Sequence, residues 1–418
     1  MSLISVEEAL RRVLASVPAP TGAEPAPLAT CAGRTLAEDV GALRNQPPFP
    51  ASAMDGYAVR AADIATIPAT LEVIGTSAAG RRFRGQVGPG QAVRIFTGAP
   101  LPDSADSVVI QENTTTSDAR VIVTEASAPY RHIRQAGLDF RAGEVLLPKG
   151  TRLDSRHVAL AAAMGHGELP VRRRPRVAIL ATGDELVRAG EPAGPDQITA
   201  SSLPATTLMV AKAGGEALDL GIARDTLQSL DERIQAALDA KADILVTLGG
   251  ASVGEHDLVQ KALAAKGMDL GFWRVALRPG KPLMHGRLGS TLLLGLPGNP
   301  VSSLVCAILF LVPAVRALSG DLHAGDDPTE SAILGTNLPA NGDRQDYMRA
   351  SLTPSDVQIS GPAGAQTLTL PVAVPHKAQD SSMLGIAARS DALLVRPPHA
   401  PEAAAGETCR IIRFDRFC

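Results

Sequence analysis

The sequence predicts a multidomain α/β plus β protein: a central α/β domain on a mostly parallel sheet, an N-terminal β-rich region before it and a small C-terminal β domain after it. Three features of the chain lead there. Between about residues 174 and 323, apolar runs of strand length alternate with segments of helical periodicity, the pattern of crossover units that lay parallel strands side by side. Upstream, from about 21 to 149, the runs are shorter and cut by Gly and Pro, as in an all-β region with long connections. Downstream, from about 324 to 418, Pro and Gly again punctuate strand-like runs, and 418 residues suffice for two to four domains, each with its own core.

Taken in order, the chain opens with a helix: Ser5 and Glu8 have capping-box spacing, and Ala9, Leu10, Val13 and Leu14 follow at helical period. Leu71–Ile74, Gln91–Phe96, Ser107–Gln111 and Val121–Thr124 are the β-like runs of the next region. Asp154 caps a helix through Ala163, stopped by Gly165 and expected to belong with the N-terminal helix. The central domain then reads as strand Val177–Ala181, helix near Leu203–Lys212, strand Ala217–Ile222, helix Leu227–Ala240, strand Ile244–Leu248 and helix His256–Ala265. Strands around Leu270–Val275 and Thr291–Leu294 and a helix Val301–Leu318 complete it, and Thr367–Val372, Ala392–Val395 and Cys409–Phe414 are strand-like beyond.

Composition removes several functional classes. The 40 basic and 43 acidic side chains leave a net charge of −3, without the electrostatic footprint of a nucleic-acid binder, and 3% aromatics leave few stacking platforms. The longest apolar stretch, Leu304–Val315, has 12 residues and contains Pro313, short of the ~20 that a membrane-spanning helix needs. The N-terminus has no apolar core behind a basic start, so the expectation is a cytoplasmic protein with neither nucleic acid nor membrane as partner. Cys31, Cys306, Cys409 and Cys418 have no CxxC or disulfide-dense spacing. Without HExxH or a Cys/His cluster, a metal would be held by oxygen ligands, which favours a hard ion such as Mg²⁺.

In an open parallel sheet, ligands bind outside the carboxyl ends of the strands, so the strand exits carry the chemistry. The first exit is Thr182-Gly183-Asp184-Glu185-Leu186, a hydroxyl, a tight turn and two carboxylates; alone it is an ordinary helix start. The second runs from Gly249-Gly250-Ala251-Ser252-Val253-Gly254 to Asp257, a loop whose backbone N–H groups either approach a phosphate or merely turn the chain. It is neither a dinucleotide fingerprint nor a P-loop. The third, Gly295-Leu296-Pro297-Gly298-Asn299-Pro300, leads straight into the Val301–Leu318 helix. Upstream of it, Arg274, Arg278 and Lys281 form a cationic segment, WRVALRPGKP, that either is a solvated face or holds an oxyanion. In the N-terminal β region, PPFPASAMDGYA ends in Asp55-Gly56-Tyr57, which reads as a turn; Thr97 sits in a corner after Arg94–Phe96, and Asp139 follows Gly137-Leu138.

In this order, PPFPASAMDGYAV, RIFTGAPLP, VAILATGDEL, TLGGASVGEHD, RPGKP and GLPGNPVSS resemble the molybdopterin molybdenumtransferase family: bacterial MoeA, the corresponding domain of gephyrin and plant molybdenum insertases. The resemblance spans nearly the whole chain. It implies a four-domain, elongated homodimer: a helical linking domain (1–23, 43–49, 144–173), an elongated β-rich domain (24–42, 50–143), a three-layer molybdopterin-binding α/β domain (174–323) and a β-barrel-like domain (324–418). It implies Mg²⁺-dependent insertion of molybdate into adenylated molybdopterin with release of AMP, in molybdenum cofactor biosynthesis. The family's functional positions fall on Asp55, Thr97, Asp139, Glu185, Asp225 and Asp257, with Arg274, Arg278 and Lys281 as basic positions and Arg344 and Ser381 in the C-terminal domain.

Phosphoanhydride cleavage needs positioning and charge stabilisation more than a nucleophilic side chain. The expectation is therefore that Asp257, Glu185 and Asp225 handle the metal ion. The Gly249, Gly250, Ser252 and Gly254 backbone, Arg274, Arg278, Lys281 and the Pro297-Gly298-Asn299 turn are expected to hold pterin phosphate and adenylate. Arg274 and Arg278 stand where the resemblance leads one to expect lysines; an Arg clamps an oxyanion as a fork but does not deprotonate at working pH. Asp55, Thr97 and Asp139 are expected to reach the site of the partner protomer. A molybdopterin adenylyltransferase and molybdoenzyme maturation factors are the implied partners. Two other readings stand beside the insertase: a molybdopterin adenylyltransferase, which the α/β domain alone resembles, and a non-catalytic gephyrin-like scaffold.

Overall fold

The structure is a computed structural model of the chain and describes residues 3–250, 258–355 and 369–418. At its centre is a six-stranded sheet in the order Glu216–Ala223, Arg176–Thr182, Ile244–Leu248, Thr291–Leu296, Pro282–Leu288, Asp269–Arg274. The first four strands are paired in parallel, and Pro282–Leu288 pairs antiparallel with both of its neighbours. Alternation along the strands sorts the core onto two faces: Val177, Ile179, Val246 and Leu294 enter one apolar cluster, and Ala178, Leu180, Leu245 and Leu293 the other. Helices Ser202–Ala213 and Pro300–Leu318 cover the first face, Leu227–Asp239 and Leu258–Ala265 the second. The result is three layers, and it explains why these strands read as unbroken apolar runs rather than alternating ones.

The Pro300–Leu318 helix is apolar enough and long enough to cross a membrane by composition, but 78% of that stretch is buried in the fold. It is the core helix of the α/β domain. Its middle turn, Ala307–Leu311, is π-helical, immediately before Pro313, whose missing N–H and ring disfavour a regular α-helical ladder there. The predicted helix from Val301 is thus continuous in course but not in hydrogen bonding.

The N-terminal six-stranded sheet has the order Ser107–Ile110, Gly56–Val59, Gln91–Ile95, Ala69–Ser77, Arg120–Val123, Thr114–Ser117, with a small core on each face. A separate core gathers Cys31, Leu36, Leu147, Ala161, Met164 and Leu169, where strand Ala23–Pro27 pairs with Glu168–Arg172 as the chain leaves and returns. At the other end of the chain, Glu330–Leu334, Gln345–Thr353, Val372–Pro375, Ala392–Arg396 and Thr408–Arg413 close into a small barrel through the Gln345–Thr353 to Ala392–Arg396 pairing. Strand Leu277–Arg278 of the α/β domain joins its edge.

Several elements differ from their sequence reading. The first helix, Val6–Ala15, is capped by Ser5, whose Oγ accepts from Glu8 N at 3.1 Å. The Glu8 carboxylate does not complete the box; it accepts from Arg11 and Arg12. This helix buries Val6, Ala9 and Val13 in the α/β core, while Ser155–Met164, its expected companion, buries Ala161 and Met164 in the separate core around Leu36. The predicted strand Thr367–Val372 lies partly outside the described residues; the strand begins at Val372, directly after Pro371, which has no N–H for a ladder. Strand Pro282–Leu288 went unread because its Gly, His and Arg interrupt any apolar run, although its core-facing Leu283 and Met284 are fully buried.

Candidate functional site

Four strand exits converge on a cleft of about 1090 Å³ at the carboxyl edge of the parallel sheet. Gly183 and Glu185 reach it after Arg176–Thr182, Asp225 after Glu216–Ala223, Gly249 and Gly250 after Ile244–Leu248, and Pro297, Gly298 and Asn299 after Thr291–Leu296. The sheet therefore assembles seven of the residues expected from sequence at one place. Asp257, Ser252 and Gly254 lie outside the described residues.

The exits are tied to one another by backbone. Asp184 Oδ1 accepts from Asp225 N at 3.2 Å, which couples the two acidic loops, and Gly249 N donates to Leu296 O at 3.1 Å. Gly249 has φ +100°, and a Cβ on it would lie 2.9 Å from the Thr182 carbonyl oxygen; Gly250 has φ +64° and its Cβ would lie 2.9 Å from the Cβ of Val259. Both positions admit only glycine, for conformation and for room. Glycine here lets the loop press onto the neighbouring exit and keeps its N–H groups free of side chains.

Helix ends supply the rest. Away from the cleft, helices are capped by side chains: Ser5, Asp154 and Thr226 each accept from the first turn. At the cleft, Ser201 before Ser202–Ala213 and Asn299 before the Pro300 helix make no capping hydrogen bond. Thr199, Ser201, Ser202 and Ser302 line the cleft around these ends. Backbone takes part of that place, since Val301 N donates to Ser381 O at 3.0 Å and Leu203 N to Ala200 O at 3.2 Å, and the aligned peptide dipoles still favour an anion. The sequence hid this feature, because Ser and Asn before a helix ordinarily announce a cap.

Glu185 and Asp225 are the charged residues of the described lining, which contains no Lys or Arg. Arg274, Arg278 and Lys281 are not among the described lining residues, although Pro282, next to Lys281, is. Arg278 is ion-paired with Asp346 of the barrel, whose other oxygen, Oδ1, is buried without a partner. Arg274 ends a strand opposite Pro282, and Lys281 is exposed with its carbonyl accepting from Val275 N at 3.0 Å. In this conformation Arg278 holds the barrel against the α/β domain: the strand pairing Leu277–Arg278 to Gln345–Asp346 brings it to Asp346 before any ligand is present.

The barrel contributes Ser382 and Leu384 to the cleft. Ser381 anchors that lip, its Oγ accepting from Asn299 Nδ2 at 2.8 Å and its carbonyl from Val301 N at 3.0 Å. Arg344 does not join it; its carbonyl accepts from Asn341. The guanidinium that backs the lip is Arg349, only 1% exposed, donating from Nη2 to Asp380 O at 2.9 Å with Nε unpartnered. Gln379 clips the Arg349 backbone at both N and O. A charged side chain at an inward strand position between Tyr347 and Ala350 was the sequence signal that could have pointed to it. A buried cation without a bonded carboxylate is costly, so Arg349→Met is expected to change stability by less than ~1 kcal/mol or raise it. Thermal melting of the variant against wild type measures the difference. A loss of several kcal/mol in melting would make Arg349 purely structural.

Asp55, Thr97 and Asp139 are not among the cleft residues; they belong to the N-terminal β region. Asp55 precedes strand Gly56–Val59, and its Oδ1 accepts from Thr97 N at 2.7 Å and Thr97 Oγ1 at 2.8 Å. Asp139 lies in an exposed turn, its N donating to Gln46 O at 2.9 Å. The two Thr97 donors, with Arg94 nearby, hold the Asp55 carboxyl below its ordinary range. A depressed carboxyl favours the folded form above the ordinary pKa of ~4 and loses that contribution as pH falls through the lower folded value. Thr97→Val should therefore move the Asp55 titration upward toward ~4 in a carboxyl NMR experiment, and an unmoved midpoint would show that Thr97 does not set it.

Comparison with known proteins agrees with this architecture along the whole chain. Residues 4–165 match the family model of the MoeA N-terminal region (domain I and II), 178–317 that of a probable molybdopterin binding domain, and 331–414 that of the MoeA C-terminal region (domain IV). The chain is similar to the molybdopterin molybdenumtransferase of Haemophilus influenzae, 34% identical with 99% of this chain and 100% of that protein covered. It is also similar to the enzyme of that name from a Nostoc species, 39% identical over 77% of this chain and 75% of that one. Among solved structures, a molybdopterin biosynthesis MoeA protein from Pyrococcus horikoshii superposes with a TM-score of 0.81 at 27% identity, covering 98% and 99% of the two chains. Cleft, barrel and matched models together show that the chain belongs to the molybdopterin molybdenumtransferase (MoeA) family, a family of transferases.

Proposed function

We propose that the protein inserts molybdenum from molybdate into adenylated molybdopterin in a Mg²⁺-dependent reaction that releases AMP. The observation that carries this reading is the cleft at the strand ends, where two carboxylates, a glycine loop and two helix N-termini without side-chain caps face one volume. A phosphate-bearing pterin is matched by backbone N–H groups, and cleaving its phosphoanhydride link to AMP demands oriented phosphates rather than a nucleophilic side chain.

Carboxylate oxygens suit a hard divalent ion, and Glu185 and Asp225 line the same cleft, a donor set that leaves positions for water and substrate phosphate as Mg²⁺ prefers. Among the described residues no group of three or more His, Cys, Asp and Glu forms a complete cage. When bound there, Mg²⁺ supplies charge neutralisation of phosphate oxygens. Glu185 and Asp225 would hold it, Asp184 fixes the Asp225 loop, and the Gly249-Gly250 backbone and the Thr199–Ser202 helix start orient the anion. Supporting context comes from relatives named molybdopterin molybdenumtransferase, which cover 99% and 77% of this chain. A cytoplasmic homodimer in which Asp55, Thr97 and Asp139 approach the partner's cleft completes the proposal.

The test mixes purified protein with adenylated molybdopterin, Mg²⁺ and molybdate, and follows AMP release together with dithiolene-bound molybdenum. Molybdate-dependent release of AMP with molybdenum incorporation is the expected result. Tight pterin binding without AMP release would favour a scaffold, and consumption of ATP with unadenylated pterin would favour an adenylyltransferase.

A further inference from the structure

The cleft of about 1090 Å³ has the size of a pocket for a drug-sized ligand, and the groups matched above to phosphate and Mg²⁺ are backbone N–H groups and carboxylates. These serve the anionic part of the substrate and leave its flat rings without a surface to lie on. Among the described lining residues there is no aromatic side chain on which a ring could stack. What the lining offers is aliphatic: Leu186 and Ile198 from the α/β domain and Leu384 from the barrel.

The segment that carries the first two is built rather than loose. Leu186–Val187 and Ile198–Thr199 form a two-stranded parallel ladder with Leu186 opposite Ile198, and directly paired residues share a face, so the two side chains lie side by side. Ile198 N donates to Glu185 O at 2.7 Å and Ala200 N to Val187 O at 2.9 Å. In the connection between the strands, Gly194 N donates to Gln197 Oε1 at 3.0 Å. Arg188 donates to both carboxylate oxygens of Asp219, at 2.9 and 3.3 Å, which pins this flap to the edge strand Glu216–Ala223. The ladder that presents Leu186 and Ile198 is therefore also the one that carries Glu185.

Leu384 begins the short helix Leu384–Ala387, two residues after Ser382. It is held there by the turn before it, in which Asp380 Oδ1 accepts from Ser382 N at 2.8 Å and Ser382 Oγ at 2.6 Å, and Leu384 N donates to Ser382 O at 3.0 Å. Ile198 is 60% exposed and Leu384 40%, so neither is spent on a core. A single exposed aliphatic residue is ordinary on a protein surface. Two of them on the lining of one cleft, contributed by two domains and each fixed by backbone hydrogen bonds, are apolar area kept open where a ligand binds.

We propose that Leu186 and Ile198, with Leu384 on the barrel side, form an aliphatic subsite that takes a planar fused heterocycle of the substrate, while the neighbouring glycine loop and helix starts take its phosphates. This inference rests on the insertase reading and names specificity determinants within its cleft. The substrate has two such ring systems, pterin and adenine. They share flat faces that aliphatic side chains cover with release of water and gain of dispersion contact.

The test compares the full-length wild type with Ile198→Ser, Ile198→Val and Leu384→Ser, using two probes that separate the rings: neopterin, followed by its fluorescence, and AMP, followed by calorimetry. Ile198→Ser should weaken binding of one probe by about tenfold and Leu384→Ser by about threefold, while Ile198→Val, which keeps most of the apolar surface, should stay within about twofold of wild type. A loss for neopterin seats the pterin on the subsite and a loss for AMP seats the adenine; either supports the proposal. Unchanged affinity for both probes in Ile198→Ser would overturn it. Inorganic pyrophosphate, which has no ring, should bind all four proteins alike, and a parallel loss of pyrophosphate affinity would overturn a role confined to the ring. Molybdate-dependent AMP release separates this proposal from the reading beneath it. Release by a wild type whose ring binding ignores Ile198 would keep the insertase and remove the subsite; ring binding that depends on Ile198 without AMP release would do the reverse. Both side chains are exposed, so the four proteins should melt alike.

Discussion

Replacing Glu185 by Gln is expected to lower molybdate-dependent AMP release by about 10²–10³-fold while leaving the melting midpoint where it is. Glu185 is exposed on the cleft wall, so removal of its charge disturbs no core packing. What it removes is a carboxylate charge that lines the cleft together with Asp225. The Gln side chain keeps the volume and one oxygen, which makes the effect electrostatic rather than steric. A Mg²⁺ titration distinguishes a metal-holding role from a general one: the variant should need a much higher ion concentration to reach its reduced rate. Wild-type turnover with an unaltered Mg²⁺ requirement would remove Glu185 from the metal site. Asp225→Asn should act in the same direction. Because Asp184 accepts from Asp225 N and so ties the loop by backbone, the Asn substitution leaves that tie in place.

The largest structural effect is expected from Gly56→Ala, with a loss of about 3 kcal/mol or more and a fall in melting midpoint on the order of 10 °C. Gly56 begins the strand that runs between Gln91–Ile95 and Ser107–Ile110, paired on both sides with Ile95 and Ile110. An added Cβ would collide with the Val109 carbonyl oxygen and lie 2.9 Å from the carbonyl carbon. Backbone on a neighbouring strand cannot rotate away as a side chain tip can, so the ladder must open. Asp55 is the preceding residue, and an opened ladder also carries its carboxylate off Thr97. The variant should therefore lose the depressed Asp55 titration along with its stability. A stable Gly56→Ala protein with normal Asp55 titration would mean that the sheet has slack which its geometry does not show.

The central domain was legible in the chain itself. Ile244–Leu248 was read to the residue, and the edges of the other parallel strands moved by one or two positions, because strands buried on both faces are written as unbroken apolar runs. Asp154 and Gly165 marked both ends of a helix correctly, since an Asx cap and a left-handed glycine are local devices. The strand exits carrying Glu185, Gly249, Gly250 and Asn299 followed from the same local grammar, and Asp225 from the family resemblance. Strand exits in a parallel sheet share one edge whatever lies between them in sequence, and the structure places these residues on one cleft.

Other features depended on contacts between distant segments. Arg274, Arg278 and Lys281 look like a phosphate clamp along the chain, but only the joining of Leu277–Arg278 to the barrel sheet reveals Arg278 on Asp346. Arg349 at the barrel lip was not read from the sequence because inward or outward placement follows strand register, which no short motif records. Asp55-Gly56-Tyr57 reads as a turn until two strands close over it. Asn299 directly precedes a helix, yet its side chain donates to Ser381 of the barrel instead of capping it. Local sequence thus determined which elements form and where the strand exits lie, since periodicity and caps act within a few residues. Tertiary structure decided which charges are spent on one another and which remain for a ligand, because that depends on pairings between distant segments, as Arg278 and Asp346 are, 68 residues apart.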